Sequence, residues 1–382
     1  MKRRLLLAAG TTMLATPTMS QPRVLDADAL RELALRIDAA IAARRLPGAV
    51  LWVERLGVEP HVQVFGQRAW EPMPEPLAAD AVYDVASLTK PLIGMLVSLL
   101  VERGVLNLDE PVHRLLREFT ASDAITWRHL LTHSSGLPAI LPLAPAWRGA
   151  GTAHALACSA KPTHAPGSFF RYSDINYILL GTLIERLTGA PLQEVAKREV
   201  LAPLGMRDSG YLPLERNAPA RLVPTEYEGE TMLRGVVHDP AARRMGGVAG
   251  HAGLFATAAD MARLARCVLQ GGAPVLTRGS VELMTRSASP PGQAARGLGW
   301  DIASPYSRPR GAVYPMGSFG HTGFTGCAMW LDPHSASFYV FLSNRVHPRG
   351  SESIVALYEE VGTWAARAVG ARDAGTAGPQ PQ

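Results

Sequence analysis

The chain is short of several things, and each shortage excludes something. Its 382 residues include three cysteines, Cys158, Cys267 and Cys327, and four lysines. Three cysteines cannot build a disulfide framework, and their spacing matches no metal site, so they read as small buried hydrophobes. Charged residues make up 19% and hydrophobic residues 47%, which excludes a disordered, highly charged chain and suffices for one large core, with or without an inserted subdomain. No sequence period repeats, so a solenoid or propeller is excluded. Basic runs are lacking as well. The net charge is +5, but Lys2, Arg3 and Arg4 supply +3 within the first twenty residues, which leaves +2 for the rest. A nucleic-acid partner is therefore not expected.

Long apolar runs are missing after residue 20, so no membrane span is expected in the mature chain. The N-terminus reads instead as a cleaved leader over residues 1–20. Its basic start precedes a short apolar run, Leu5 to Ala15, and Thr18-Met19-Ser20 offers a small-x-small cleavage site. The protein is thus expected to be exported, to the periplasm or beyond. Arg3-Arg4 leaves both the general secretion route and twin-arginine export open.

What is present is ordered along the chain. Leu30, Leu33, Ile37 and Ile41 fall on one face of a helix over residues 26–44, with Asp26 or Asp28 as cap. Strands follow at 49–56 and 62–65. Residues 91–101 are apolar almost all round, as in a buried core helix. Helical patterns dominate 104–255. Strands return at 327–331 and 338–342, and Leu357, Val361, Trp364 and Ala368 mark a last helix over 353–369. The expected fold is α+β: an antiparallel sheet flanked by helices and built from both termini, 21–103 and 256–372. An all-helical domain, 104–255, is inserted, and a disordered tail spans 373–382. A substrate cleft belongs between the two parts.

The chemistry points to Ser87-Leu88-Thr89-Lys90, the sole S-x-x-K in the chain. A serine needs a base to become a nucleophile, and residues three apart on a helix share a face. Taken alone, the tetrad could also be a helix cap beside a solvated lysine. A serine at a helix start has free N–H groups nearby for an oxyanion. Two further segments add weight. Tyr172-Ser173-Asp174 puts a phenol and a carboxylate before an apolar helix, where Ser173 or Asp174 could instead be a cap. Gly320-His321-Thr322-Gly323 opens the last strand block, and its glycines allow a substrate to lie along the backbone, unless they form a simple tight turn. No G-x-S-x-G nucleophile is present.

With these three segments in order, the chain resembles the serine β-lactamase and penicillin-binding-protein-like family, nearest the class-C-like hydrolases. Ile125 to Gly136 and Leu106 to Val112 add supporting matches. The resemblance implies a β-lactamase/transpeptidase-like fold with Ser87 as nucleophile. Lys90 and Tyr172 would share the base and acid work, and the N–H groups of Ser87 and Phe324 would form the oxyanion hole. Asp174, His321, Thr322 and Gly323 would contact substrate, and no cofactor or metal is implied. Two departures stand out: Asp174 replaces the family's Asn in Tyr-x-Asn, and His321 replaces the Lys in Lys-Thr-Gly.

The segments around Val237-His238-Asp239, Gly250-His251-Ala252 and Ser343 to Pro348 resemble a subgroup of cell-wall amidases and low-activity penicillin-binding hydrolases. His238, Asp239 and His251 are candidates for the cleft wall or for loop hydrogen bonds, and Trp300 for either wall or core. His133, Ser134 and Ser135 read as a capped turn. The expected activity is hydrolysis of an amide or peptide bond in a small, muropeptide-like substrate through an acyl-enzyme on Ser87. The alternatives are a promiscuous carboxylesterase, a weak β-lactamase, or a non-catalytic penicillin-recognising protein.

Overall fold

The computed structural model describes residues 24–350 and 352–371; the expected leader and tail lie outside them. The strands in chain order are β1 (Gly48–Arg55), β2 (His61–Ala69), β3 (Glu75–Pro76), β4 (Tyr83–Asp84), β5 (Pro224–Glu228), β6 (Thr231–Arg234), β7 (Phe255–Ala256), β8 (Ala295–Arg296), β9 (Asp301–Ala303), β10 (Phe319–Gly323), β11 (Cys327–Asp332) and β12 (Ser337–Ser343). The helices are α1 (Ala27–Ala42), α2 (Thr89–Glu102), α3 (Val112–Leu115), α4 (Trp127–Leu131), α5 (Ala150–Ser159), α6 (Asp174–Thr188), α7 (Leu192–Ala196), α8 (Pro240–Arg244), α9 (Ala258–Leu269), α10 (Arg278–Thr285) and α11 (Val355–Ala368).

One eight-stranded sheet runs in the order β3-β2-β1-β12-β11-β10-β9-β8. Strands from the two ends of the chain meet at its centre, where Trp52 of β1 lies opposite Val340 of β12. Successive side chains of a strand face opposite ways, and here both faces are apolar. Leu51, Val53, Trp330, Tyr339 and Phe341 face a layer made by α1 and α11 through Leu33, Ile37, Leu357 and Val361. Val50, Met329, Leu331, Val340 and Leu342 face a larger core that includes α2, α6 and α9. Asp26 caps α1 through the N–H groups of Asp28 and Ala29, as its sequence suggests. All three cysteines are unpaired and buried.

The middle of the chain departs from the expected all-helical insertion. It also holds the β5–β6 hairpin, which turns at Gly229 (φ 61°) between Tyr227 and Thr231, residues that favour extended backbone. The helical layer continues past residue 255, because Met261, Leu264, Val281 and Met284 of α9 and α10 share a core with Leu92 of α2 and Leu180 of α6. No helix among the described residues is long and apolar enough to cross a membrane.

Helix α2 is apolar all round because it is enclosed all round, from Thr89 to Leu100. Gly94 lets the 297–300 segment press against it: a Cβ there would lie 2.1 Å from the Leu298 carbonyl oxygen. Gly299 answers from the other side, where a Cβ would lie 2.6 Å from the Lys90 carbonyl oxygen. This close approach seats the segment that follows Arg296 on the helix that carries Lys90. Gly94→Ala is expected to lower stability in thermal or denaturant melts by about 1–3 kcal/mol. Gly151→Ala in α5, where an added Cβ meets nothing within 4 Å, is expected to be neutral or to stabilise by up to ~1 kcal/mol.

Candidate active site

Ser87 sits on a bent approach to α2. Short strand β4 ends at Asp84, and Ala86 then takes a left-handed conformation (φ 47°) in the single helical turn that leads into α2. A non-glycine residue there costs on the order of 1 kcal/mol, so something must hold it. Buried Asp84 does so: one carboxylate oxygen accepts from the Ala86 N–H at 2.9 Å and the other from the His238 N–H at 2.7 Å. Burial pushes the Asp84 carboxyl above its ordinary value. Its carbonyl accepts from the Thr325 hydroxyl at 2.7 Å, which ties the Ser87 turn to the β10–β11 turn.

Lys90, one helical turn on, is fully buried. Its ammonium lies 2.9 Å from Ser87 Oγ, 3.0 Å from the His251 carbonyl oxygen and 2.8 Å from Asp174 Oδ1. Of its three N–H donors, two have hydrogen-bond acceptors here, Ser87 Oγ and the His251 carbonyl, and Asp174 adds an ion pair whose oxygen is not aligned for a hydrogen bond. Burial alone would depress Lys90, but the Asp174 carboxylate and the Tyr172 hydroxyl overcome it and raise Lys90 above its ordinary value. The alternative of a solvated lysine is therefore gone. Tyr172 is half-buried in the cavity wall; desolvation raises its hydroxyl, and the neighbouring Lys90 charge opposes that rise. The Lys90 nitrogen lies 4.8 Å from the Tyr172 ring centre.

Asp174 opens α6, yet neither it nor Ser173 caps the helix. The Ser173 hydroxyl donates to the Pro138 carbonyl at 2.6 Å instead, and Asp174 is spent on Lys90. The expected turn at His133-Ser134-Ser135 forms the floor beneath. His133 packs on the Tyr172 ring at 4.3 Å and accepts the Ser173 N–H at 3.1 Å, while Ser135 donates to Asn176 at 2.7 Å. None of the three lines the cavity.

Strand β10 forms the opposite wall. A Cβ on Gly323 would lie 2.3 Å from the Val85 carbonyl oxygen, so a glycine is required where β10 meets the Ser87 turn. His321 is buried, and its two partners fix its tautomer. Nδ1 lies 2.8 Å from the Thr322 carbonyl, which only accepts, and Nε2 lies 3.1 Å from Arg296 Nη2, which only donates. Burial and the charges of Arg296 and Lys90 depress its basicity far below the ordinary value, so His321 is neutral. Arg296, from β8, is itself buried and pairs with Asp301 at 3.2 Å, while its Nε has no partner.

A cavity of 510 Å³ opens between these walls, lined among others by Ser87, Tyr172, Asp174, Arg296, His321 and Phe324. Thr322, Gly323, His238, Asp239 and His251 line it too, so the residues expected at the nucleophile, proton-transfer, oxyanion and substrate positions all line it except Lys90, which lies behind Ser87. Trp300 is not; it is fully buried core, edge-on to Phe319 at 5.2 Å. His238 and Asp239 also make loop hydrogen bonds. His238 Nε2 pairs with Glu226 at 2.8 Å, and its ring stacks on Phe324 at 5.6 Å. Asp239 caps α8 and pairs with His251 Nε2 at 2.8 Å. Burial would raise the Asp239 carboxyl, but His251 and the Ala242 N–H hold it below the usual carboxylate range. Among the described residues no group of acids, histidines and cysteines could hold a metal ion.

Two residues were missed by sequence reasoning. Arg296 carried no local signal, since only the β8–β9–β10 register brings it to His321. Asp84 did carry one, a lone acid inside the apolar stretch 81–86. Asp84→Asn must turn an amide N–H toward either the Ala86 or the His238 N–H. It is expected to cost about 1–3 kcal/mol in a denaturant melt and to slow labelling of Ser87 by an activity-based fluorophosphonate.

Comparison with known proteins agrees with this geometry. A family model described as Beta-lactamase matches residues 33–361. A protein of Escherichia coli (strain K12) named "Putative D-alanyl-D-alanine carboxypeptidase" is 31% identical over 318 residues, 72% of each chain. Among solved structures, the D-amino acid amidase of Ochrobactrum anthropi SV3 superposes with a TM-score of 0.70 at 22% identity, covering 90% of this chain and 99% of that one. EstCE1, a hydrolase with promiscuous acyltransferase activity, gives 0.70 at 21% identity, covering 88% and 98%. These two show the shared fold. The match over most of the chain, the α+β architecture and the Ser87–Lys90 contact together place this protein in the Beta-lactamase family of serine hydrolases.

Proposed function

We propose that the protein is an exported hydrolase that cleaves an amide or peptide bond in a cell-wall-derived substrate, with Ser87 carrying the acyl group. The 2.9 Å contact between Lys90 and Ser87 in a closed, buried cluster carries this reading. Ser87 attacks the substrate carbonyl, and the N–H groups of Ser87 and Phe324, both at the cavity, receive the developing oxyanion. Tyr172, beside Lys90 and lining the same cavity as Ser87, delivers a proton to the departing amine. Water then releases the acyl group along the reverse proton path.

The peptide side is supported by the name of the E. coli relative and by Arg296. In the position where His321 is uncharged, Arg296 is the buried cation that lines the cleft, and it suits a substrate carboxylate. An ester-cleaving reading has its own observation. Phe324, Ile140 and Tyr306 line the cleft yet are 63%, 62% and 47% exposed, an apolar rim suited to acyl or aryl groups.

Digesting muropeptides with the purified protein is expected to release peptide or a terminal amino acid, seen by mass spectrometry. Turnover of simple esters alone would favour the ester reading. Ser87→Ala should abolish turnover and, because it removes an acceptor of the buried Lys90 ammonium, cost about 1–3 kcal/mol in a melt. Peptides with a free C-terminal carboxylate are expected to be cleaved roughly tenfold more efficiently in kcat/KM than their carboxamides, and equal rates would remove Arg296 from substrate recognition.

A further inference from the structure

The departure of Asp174 from the family pattern has a geometric meaning. In the free enzyme the Lys90 ammonium has no lone pair to offer Ser87: it hydrogen-bonds Ser87 Oγ and the His251 carbonyl and forms an ion pair with Asp174 Oδ1. A hydroxyl or a carbonyl in that set can accept a hydrogen bond, but neither can keep a proton. A carboxylate can, and it lies 2.8 Å away with its side chain 21% exposed. An asparagine amide there could accept a hydrogen bond from the ammonium or donate one elsewhere, but could not take up its proton.

We propose that Asp174 is a positioning residue that holds the lysine proton during acylation, so that Lys90 becomes a base without losing a proton to solvent. The proposal rests on Ser87 being the acylated serine. As the Oγ–H bond breaks and the Oγ–acyl bond forms, the serine proton moves to Lys90 Nζ, and one Nζ proton moves to Asp174 Oδ1. When the amine departs, Tyr172 gives it a proton. Lys90 replaces the Tyr172 proton, and Asp174 returns its own to Lys90. The sum is the transfer of the serine proton to the leaving group, with Lys90 and Asp174 back in their starting states. Deacylation by water repeats the steps in reverse.

The surroundings favour a pair that keeps one shared proton. Tyr172 and Tyr177 face Lys90 with their rings, at 4.8 and 5.5 Å. His133 and His321 lie close enough to feel the Lys90 charge, and burial with neighbouring cations keeps both of them neutral. The Arg296 guanidinium lies 5.8 Å from the centre of the Tyr172 ring. Asp239, held ionised by His251, is the other acid near Lys90, but it is engaged with that histidine and with the N-terminus of α8. Asp174 is thus the carboxylate in direct contact with the ammonium. The raised basicity of Lys90 means that a lysine acting alone would be a poor base at neutral pH.

Two mechanisms give opposite signs. If Lys90 simply had to lose its proton to water, removing the Asp174 charge would ease that loss and speed Ser87 at neutral pH. If Asp174 takes the proton, removing it leaves Lys90 with nowhere nearby to send one. The experiment measures the rate at which an uncharged fluorophosphonate modifies Ser87, by intact mass, from about pH 6 to pH 10, in the native protein and in Asp174→Asn, Asp174→Ala and Asp174→Glu. Such a probe needs no carboxylate site, so substrate binding does not enter.

The native rate is expected to be level through neutral pH. Asp174→Asn and Asp174→Ala should both be slower near pH 7 by roughly a hundredfold and should gain rate as pH rises. Asp174→Glu should recover much of the neutral rate, and a melt of each variant shows that the fold is intact. A rate for Asp174→Asn equal to or above the native one at neutral pH overturns the proposal. So does a uniform loss with the native pH shape, which would make Asp174 merely structural. Native protein that takes no label overturns the assignment of Ser87 itself, a separate failure.

Discussion

The structure depends on one buried ammonium. A charge taken fully out of water is tolerated when every donor finds a partner and an opposite charge lies close. Lys90 draws its two hydrogen-bond acceptors and its counter-charge from three segments far apart in sequence: the turn at Ser87, the loop at His251 and the start of α6. Removing either acceptor would leave a buried donor unsatisfied, and removing Asp174 would leave the charge without its ion pair. The two halves of the chain are thereby tied at the point where chemistry is expected, and the glycine contact between α2 and the 297–300 segment brings the third wall to the same place.

Around that centre the charges are arranged to leave the cleft with few mobile protons. His133 and His321 are neutral, held so by burial and by the cations beside them. Arg296 is matched by Asp301, and Asp239 by His251. In the proposed mechanism the acid–base traffic is then confined to Ser87, Lys90, Tyr172 and Asp174. His321 stands where the family has a lysine, and Arg296 brings a cation to the same wall from a neighbouring strand. The positive charge at this side of the cleft has moved rather than vanished.

Much of this was legible in the sequence because it is local. Three-residue spacing puts Ser87 and Lys90 on one helix face, and period-two and helical patterns located α1, α2, α11 and the central strands. Tyr172 and Asp174 announced themselves by standing before an apolar helix. What escaped was tertiary. Arg296 reaches His321 through strand pairing that no pattern in the short segment 295–303 reveals. The His251 side chain drew notice, but its backbone carbonyl is what touches Lys90, and any residue could supply that. Asp174 was expected at the substrate or as a cap, since a sequence cannot show that a lysine 84 positions earlier would claim it. The β5–β6 hairpin was missed because helical patterns outweigh two strands of five and four residues.

The most direct measurement is to treat the protein with a fluorophosphonate, digest it and map the adduct by tandem mass spectrometry, with Ser87→Ala alongside. A single adduct on Ser87, lost in the variant, is the expected result. An adduct on Ser134 or Ser135, or one that persists in Ser87→Ala, would contradict an acyl-enzyme on Ser87.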